Sequence, residues 1–284
     1  MTERLADITA RIQGIHQLGS VVNAMRGIAA ARAQQARTQL AAVDSYAAII
    51  AAAIGEVLAL MPPQPRGATA TPGRLALVLF CAEQGFAGAF SERVLDSVGD
   101  ALTTSELFLI GTRGAMVAAE RDITPGWTSA MPSHSRGIAK LADGVAQALY
   151  ARIATGDIDE LDVVFCQWQQ GHGTEVQRRR LFPFDLTVFP LPTRPTQPLL
   201  NLPPETLLAS LTADYMHAQL CRAALHAFSA ENEARMEAMA SAHSQIDQRI
   251  LSLQAQERRV RQQEITEEVI ELAAGETASR DHMA

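Results

Sequence analysis

From Glu205 to Ala274 the chain runs seventy residues without a glycine or a proline. No other feature restricts the fold as strongly, because ordinary globular helices end after a few turns. At 1.5 Å per residue such a helix would reach about 100 Å, far more than one compact domain can cover along its length. It therefore needs a partner of similar length. Only one other stretch of the chain could supply it, at the opposite end.

Steps of three and four residues from Leu5 give Ile8, Ile12, Ile15, Gly19, Val22, Arg26, Ala29, Ala33, Ala36, Leu40, Val43, Ala47, Ile50, Ile54, Val57 and Met61. Only Gly19 and Arg26 interrupt this apolar seam, so the spacing predicts a heptad-type helix that ends at Pro62-Pro63. Where the seam reads Ala29, Ala33, Ala36, two helices can approach closely, at some cost in buried apolar area. The same pattern fits an ordinary antiparallel helical hairpin, and both readings stand. A charge at Arg26 on the seam would have to snorkel or meet an acid outside the pair.

Prolines from Pro62 to Pro72 and again from Pro183 to Pro204 mark two linkers. Between them the pattern changes. Leu75 to Cys81, Leu107 to Ile110 and Leu161 to Trp168 read as buried strands, with helical stripes at Phe90, Val94, Val98 and at Ile138, Leu141, Val145, Leu149, Ile153. Strand alternating with helix implies a parallel sheet with covering helices. Thr174 to Phe182 reads as an edge strand that Arg178, Arg179 and Arg180 protect from further pairing. The expected architecture is α/β: a long antiparallel coiled coil of N- and C-terminal helices with an inserted Rossmann-like α/β domain. Its expected bounds are residues 1–61, 74–190 and 203–275, followed by a frayed polar tail from Glu276.

Several function classes find no support. A net charge of −7 argues against a nucleic-acid footprint. Cys81, Cys166 and Cys221 are too widely spaced for a metal site or a disulfide framework, which suits a reduced compartment. The longest consecutive apolar run, Tyr46 to Gly55, falls short of the roughly 18 residues that cross a bilayer, so direct membrane insertion is not expected. Gly85, Gly88, Gly111 and Gly114 follow strands and invite a nucleotide-binding reading, but neither a G-x-G-x-x-G nor a phosphate-loop pattern is present. Tight strand-to-helix turns account for them more simply. His172 has no companion ligands and reads as a loop residue. No nucleophile elbow or zinc-helix pattern occurs, so neither a cofactor nor a metal is expected.

The last helix continues through Leu207, Leu211, Tyr215, Leu225, Met236, Met239, Ile246, Ile250, Leu253 and Val260, then slips phase to Ile265, Val269 and Leu272. Its most polar segment, Glu257 to Glu264, lies at the slip and can be read as a solvated face. Here the chain resembles a known family, the gamma subunits of F-type ATP synthases. Their C-terminal Arg-Gln-x-x-Ile-Thr-x-Glu hallmark is matched by Arg261, Gln262, Ile265, Thr266 and Glu268. Their Ser-Glu-x-x-Ala-Arg-Met-x-Ala-Met is matched, apart from its serine, by Ala230 to Met239. Ala24-Met25 with Ile28-Ala29-Ala30 is similar to the N-terminal motif. The chain departs at Ser20-Val21-Val22-Asn23, at Ala82 to Ala89, and at Glu257-Arg258, as in a divergent branch such as the alternative, sodium-translocating F-type ATPases.

The resemblance implies a central-stalk rotor without catalysis of its own. It would couple rotation of a membrane ring of c subunits to ATP turnover in a ring of alpha and beta subunits. An epsilon subunit would be a further partner. The location would be peripheral, on the cytoplasmic face of the bacterial inner membrane. Met25, Arg26, Arg261, Gln262, Ile265, Thr266 and Glu268 are the residues it places against the alpha/beta ring, with the patch at 261–268 expected to face the alanine seam. Two readings from other classes remain: a standalone coiled-coil scaffold, and a nucleotide-binding α/β enzyme with helical arms.

Overall fold

The computed structural model describes residues 5–61, 73–169, 171–190 and 199–281; most of the two proline-rich linkers lies outside them. The chain opens with helix α1, Leu5–Leu60, and closes with helix α6, Pro204–Asp281. Between them run β1 (Leu75–Phe80), α2 (Phe90–Asp96), α3 (Ala101–Thr104), β2 (Glu106–Ile110), α4 (Thr112–Glu120), β3 (Trp127–Ser129), α5 (Ile138–Ala154), β4 (Glu160–Gln169) and β5 (Gly173–Phe182). α6 passes through Gly275 and on to Asp281, so the segment expected to fray is helical that far. α1 is long and apolar enough by composition to cross a membrane, its most apolar 18-residue window having a mean hydropathy of 1.7 with 28% of it buried. Alanines spread through the helix raise that mean, which a search for consecutive apolar residues does not register.

Residues pack into two compact units, one of residues 29–236 and one of the two chain ends, 1–28 with 237–284. In the unit of chain ends the helices run antiparallel. Thr9 Oγ1 lies 3.4 Å from Glu257 Oε1, and a Cβ on Gly19 would stand 3.4 Å from Ile246 Cγ2. Val22, Met239, Ile246 and Ile250 form the buried stripe between them, flanked by Ile15, Met25 and Ala242. The heptad spacing therefore does mark the paired face, with one correction. Arg26 is exposed and its Nη2 donates to Asn23 Oδ1 at 3.0 Å. The seam passes instead through Met25, which from Val22 is equally three residues on and four short of Ala29.

The unit of residues 29–236 is built on a five-stranded sheet in the order β3-β2-β1-β4-β5, parallel except for the β4–β5 pair. Alternate residues of each inner strand go to opposite faces, and both faces are covered, which is why these strands read as unbroken apolar runs. Ala76, Val78 and Phe80 of β1 and Leu161, Val163 and Phe165 of β4 pack against α5 and against Met216 to Phe228 of α6. Leu77, Leu79, Val164 and Cys166 face the side of α2 and α4, with Phe90, Val94, Leu95 and Val117. Ala36 of α1 joins the first of these cores. The sheet thus carries a core on each face, and both long helices contribute to the first.

β5 is the edge strand, but its arginines do more than discourage pairing. Asp162 on β4, 4% exposed, accepts from Arg178 Nε at 2.8 Å and from Arg180. These pairs hold the edge strand to its neighbour. Arg179 lies over the Phe165 ring, 5.6 Å from its centroid.

Candidate functional site

Covering of α6 changes along its length. From Ala223 to Arg235 nearly every residue is buried; from Glu237 to Leu253 a single stripe is buried; from Arg261 to Ala274 every residue is exposed. Arg261, Ile265, Glu268 and Leu272 recur at helical spacing on one stripe, and Gln262, Thr266 and Val269 lie on the stripe beside it. Five of the seven expected contact residues thus share one exposed face. Arg261 Nη2 donates to Glu257 Oε1 at 3.1 Å, which lays the guanidinium along the helix. Thr266 Oγ1 donates to the Gln262 carbonyl at 2.8 Å, leaving the hydroxyl oxygen as an acceptor for a partner.

The same face is unusually apolar for an uncovered helix. Ile265 is 55% exposed, Val269 59% and Leu272 75%. Contiguous exposed apolar residues among polar ones are uncommon on a fully solvated helix end. Val269 and Leu272 are the residues of this face that sequence reasoning left out. The phase slip announces Val269 and Leu272, but a slip by itself does not say whether a helix covers them.

Met25 and Arg26 are not part of this face. Thr9 is the α1 residue that meets Glu257, and residue 25 is about four turns further along the helix. Met25 is half-buried within the helix pair, where its side chain packs beside the seam. The expectation that residues 261–268 oppose the alanine seam also fails. Ala29, Ala33 and Ala36 are buried in the other unit, where Ala36 shares a core with Phe228 and Arg37 pairs with Glu233.

At the C-terminal end of the sheet, where doubly wound folds bind ligands, a side chain of the protein itself occupies the start of α4, beside a hollow of about 290 Å³ between residues 82–88 and Arg113. Glu83 follows β1, and its carboxylate accepts from Thr112 N at 2.9 Å, Thr112 Oγ1 at 2.8 Å and Met131 N at 2.8 Å. The first turn of α4, the natural seat for a phosphate, therefore holds an internal anion. Gly111, at φ 112°, and Gly114 sit where any Cβ would strike the backbone or side chain of Cys81 and Ala82 at 2.7 Å or less. Close packing of strand and helix explains both. Burial pushes the Cys166 thiol up to about 12 and the Cys221 thiol up to about 11, and raises Cys81 further, so none is a ready nucleophile. An open groove of about 780 Å³ between Gln35, Thr38 and Gln39 of α1 and residues 132–137 has no hydrogen bond between the His134 ring and Ser133 or Ser135. Among the described residues no cluster of His, Cys, Asp or Glu could hold a metal ion.

The sequence model of one family, described as ATP synthase, matches residues 4–278. The chain is 29% identical over 293 residues to the ATP synthase gamma chain of Frankia casuarinae, covering 98% of each. Among solved structures it is similar to a chain of the Euglena gracilis mitochondrial ATP synthase OSCP/F1/c-ring in rotational state 3, with a TM-score of 0.64 at 12% identity over 96% of this chain and 94% of that one. A chain of the Euglena gracilis mitochondrial ATP synthase rotor in rotational state 1 matches with a TM-score of 0.60 at 13% identity, over 92% and 98%. At those identities the likeness is one of fold: two long helices around a mixed sheet. By the match that spans residues 4–278, the chain belongs to the ATP synthase family.

Proposed function

We propose that this chain is the gamma, central-stalk subunit of a bacterial F-type ATP synthase, turning inside a ring of alpha and beta subunits. The observation that carries the reading is the bare end of α6, where Ile265, Val269 and Leu272 stand exposed beside Arg261, Gln262, Thr266 and Glu268 on one face. A helix that keeps its apolar residues uncovered there requires a sleeve from other chains. Arg261, Gln262, Thr266 and Glu268 supply the polar contacts to that sleeve and Ile265 the apolar one. Arg26, exposed on α1, contributes separately.

The α/β unit is the part that meets the epsilon subunit and the c subunits of the membrane ring. Attachment to the cytoplasmic face of the inner membrane is then peripheral, because α1 already commits Ala47, Ile54 and Val57 to buried positions. Catalysis belongs to the partners, a reading supported by the way Glu83 occupies the start of α4. The departures at Ser20–Asn23 and Ala82–Ala89 favour the sodium-translocating branch, which the ion dependence of the purified complex would decide.

Affinity purification of the tagged chain from detergent-solubilised membranes tests the central claim. Alpha, beta and epsilon subunits with the c ring should copurify in fixed proportion. Recovery as a homo-oligomer alone, or saturable ATP or NAD binding by the isolated chain, would overturn it.

A further inference from the structure

The buried polar residues of this protein are concentrated in one place. Among the described residues Ser229, Glu231, Asn232, Glu233 and Arg235 are all buried within seven positions of α6, against Ser91, Ser135 and Asp162 elsewhere. The preceding turns, from Met216 to Phe228, are packed with apolar residues. A continued apolar stripe would have been the more stable choice, since a buried ion pair seldom repays its desolvation. The change occurs in the last turns before Met236, where the unit of residues 29–236 ends.

Two of these side chains grip one loop. Glu231 accepts from the backbone N–H groups of Glu83 and Gln84, both at 3.2 Å. Four residues on, Arg235 pairs with Glu231 and donates to the carbonyls of Gln84 at 3.3 Å and Gly85 at 3.2 Å. Asn232 accepts from Arg235 Nη1 at 3.2 Å and donates to the Phe228 carbonyl at 2.8 Å. Glu83, held in this way, ties the same loop to Thr112 and Met131, which follow β2 and β3. From the other helix Arg37 pairs with Glu233 and lies over the Trp168 ring of β4 at 5.7 Å.

We propose that Glu231 and Arg235, acting on the backbone of residues 83–85, are positioning residues that fix the rotational register of α6 in the α/β unit. Rotation of that unit is thereby passed into α6 without slip. The proposal rests on the rotor reading above. Its physical ground is the difference between two kinds of socket. Apolar packing resists withdrawal of a helix but is nearly indifferent to small turns about the helix axis. The contacts of a carboxylate hooked on two consecutive N–H groups, and of a guanidinium on two consecutive carbonyls, are lost on turning, and each lost contact leaves a buried polar group of the loop without its partner.

The test compares wild type with Glu231→Met plus Arg235→Met, an apolar pair of similar size that such sites tolerate, in the complex reconstituted into vesicles. With helical content and assembly retained, ATP hydrolysis should stay within about twofold while ions pumped per ATP fall about fivefold or more. A role confined to folding would leave that ratio unchanged, and an unchanged ratio overturns the proposal. Should this variant misfold, Glu231→Gln with Arg235→Gln, which keeps polar shape without charge, is read in the same way. Misfolding of both would make the cluster a fold determinant and also overturn it. If the wild-type chain neither copurifies with a ring nor supports pumping, the rotor reading itself fails. If wild type pumps and the variant pumps equally per ATP, only the register proposal does.

Discussion

His226 stacks on Phe165, ring centroids 5.6 Å apart and planes at 21°. Burial first, and then the charge of Arg222, lower its pKa from 6.5 to about 4; Arg179 pushes the same way and Asp44 opposes. In the unfolded chain the ring takes a proton below 6.5, in the folded chain only below about 4. Its contribution to stability is therefore complete above pH 6.5, declines as pH falls toward 4, and changes no further below that. His226→Phe should flatten the loss of thermal midpoint between pH 7 and pH 5, and an undiminished slope would contradict this assignment. On the exposed face of α6, Gln262→Ala with Thr266→Ala should leave the isolated chain as helical as before, since alanine is the better helix former. Losing about 1–2 kcal/mol of ring contact should lower coupled ATP turnover by a factor of roughly 5–30. Unchanged synthesis and hydrolysis in that double variant would remove these two residues from the interface. Ile265 and Thr266 could be read from the sequence because a family hallmark covers them. The spacing puts Arg26 on the seam where Met25 stands, because both lie within a three- or four-residue step of Val22. Which of two adjacent side chains turns inward depends on the local phase of the pair, and one helix read alone does not contain it.

The β4–β5 ribbon gives an asymmetric pair of variants. Asp162 is 5% exposed at its side chain while Arg178 and Arg180 are 42% and 45% exposed. In Asp162→Asn the two guanidinium groups can turn to water, so we expect a loss of about 2 kcal/mol, read from urea denaturation. Removing both arginines instead, as Arg178→Gln with Arg180→Gln, strands the buried carboxylate and should cost more. Equal losses, or none, would count against the pairing as the fastening of the edge strand. β1, β2, β4 and α5 were legible because strands buried on both faces are unbroken apolar runs and α5 carries a regular stripe. β3 and α4 were not. Trp127–Ser129 is a three-residue strand defined by its register with β2, and α4 is mostly alanine and polar residues with Met116 53% exposed. Neither leaves a periodic signal of sufficient length. Glu83 likewise gave none, because three donors from two distant loops converge on it only after the sheet has formed.

The division of the chain into residues 29–236 and the paired ends was also invisible in the sequence, because the apolar stripe of α6 runs on through Met236 and Met239 while its partners change. Near Ala223 to Arg235 it is buried on almost all sides, near Met239 to Leu253 on one stripe, and from Arg261 to Ala274 not at all. Burial of apolar area stabilises by about 25 cal/mol per Å², and a helix with little such burial is marginal in water. Opening free energies should therefore fall along this single helix. In the purified chain, amide hydrogen exchange followed by mass spectrometry should show slowest exchange at 223–235, intermediate at 239–253 and fastest at 261–274. The middle step depends on Val22, Met239, Ile246 and Ile250, a small core, so Ile246→Ala should bring 239–253 close to the rate of 261–274 while leaving 223–235 unchanged. In the assembled complex the ordering should change at one end only. The face of Ile265, Val269 and Leu272 should gain protection when the ring covers it, without comparable change at 223–235, whose protection is intrinsic. Uniform exchange along α6 in the isolated chain would contradict the graded covering. A ring-bound form in which 261–274 still exchanged as in the free chain would contradict its assignment as the contact surface.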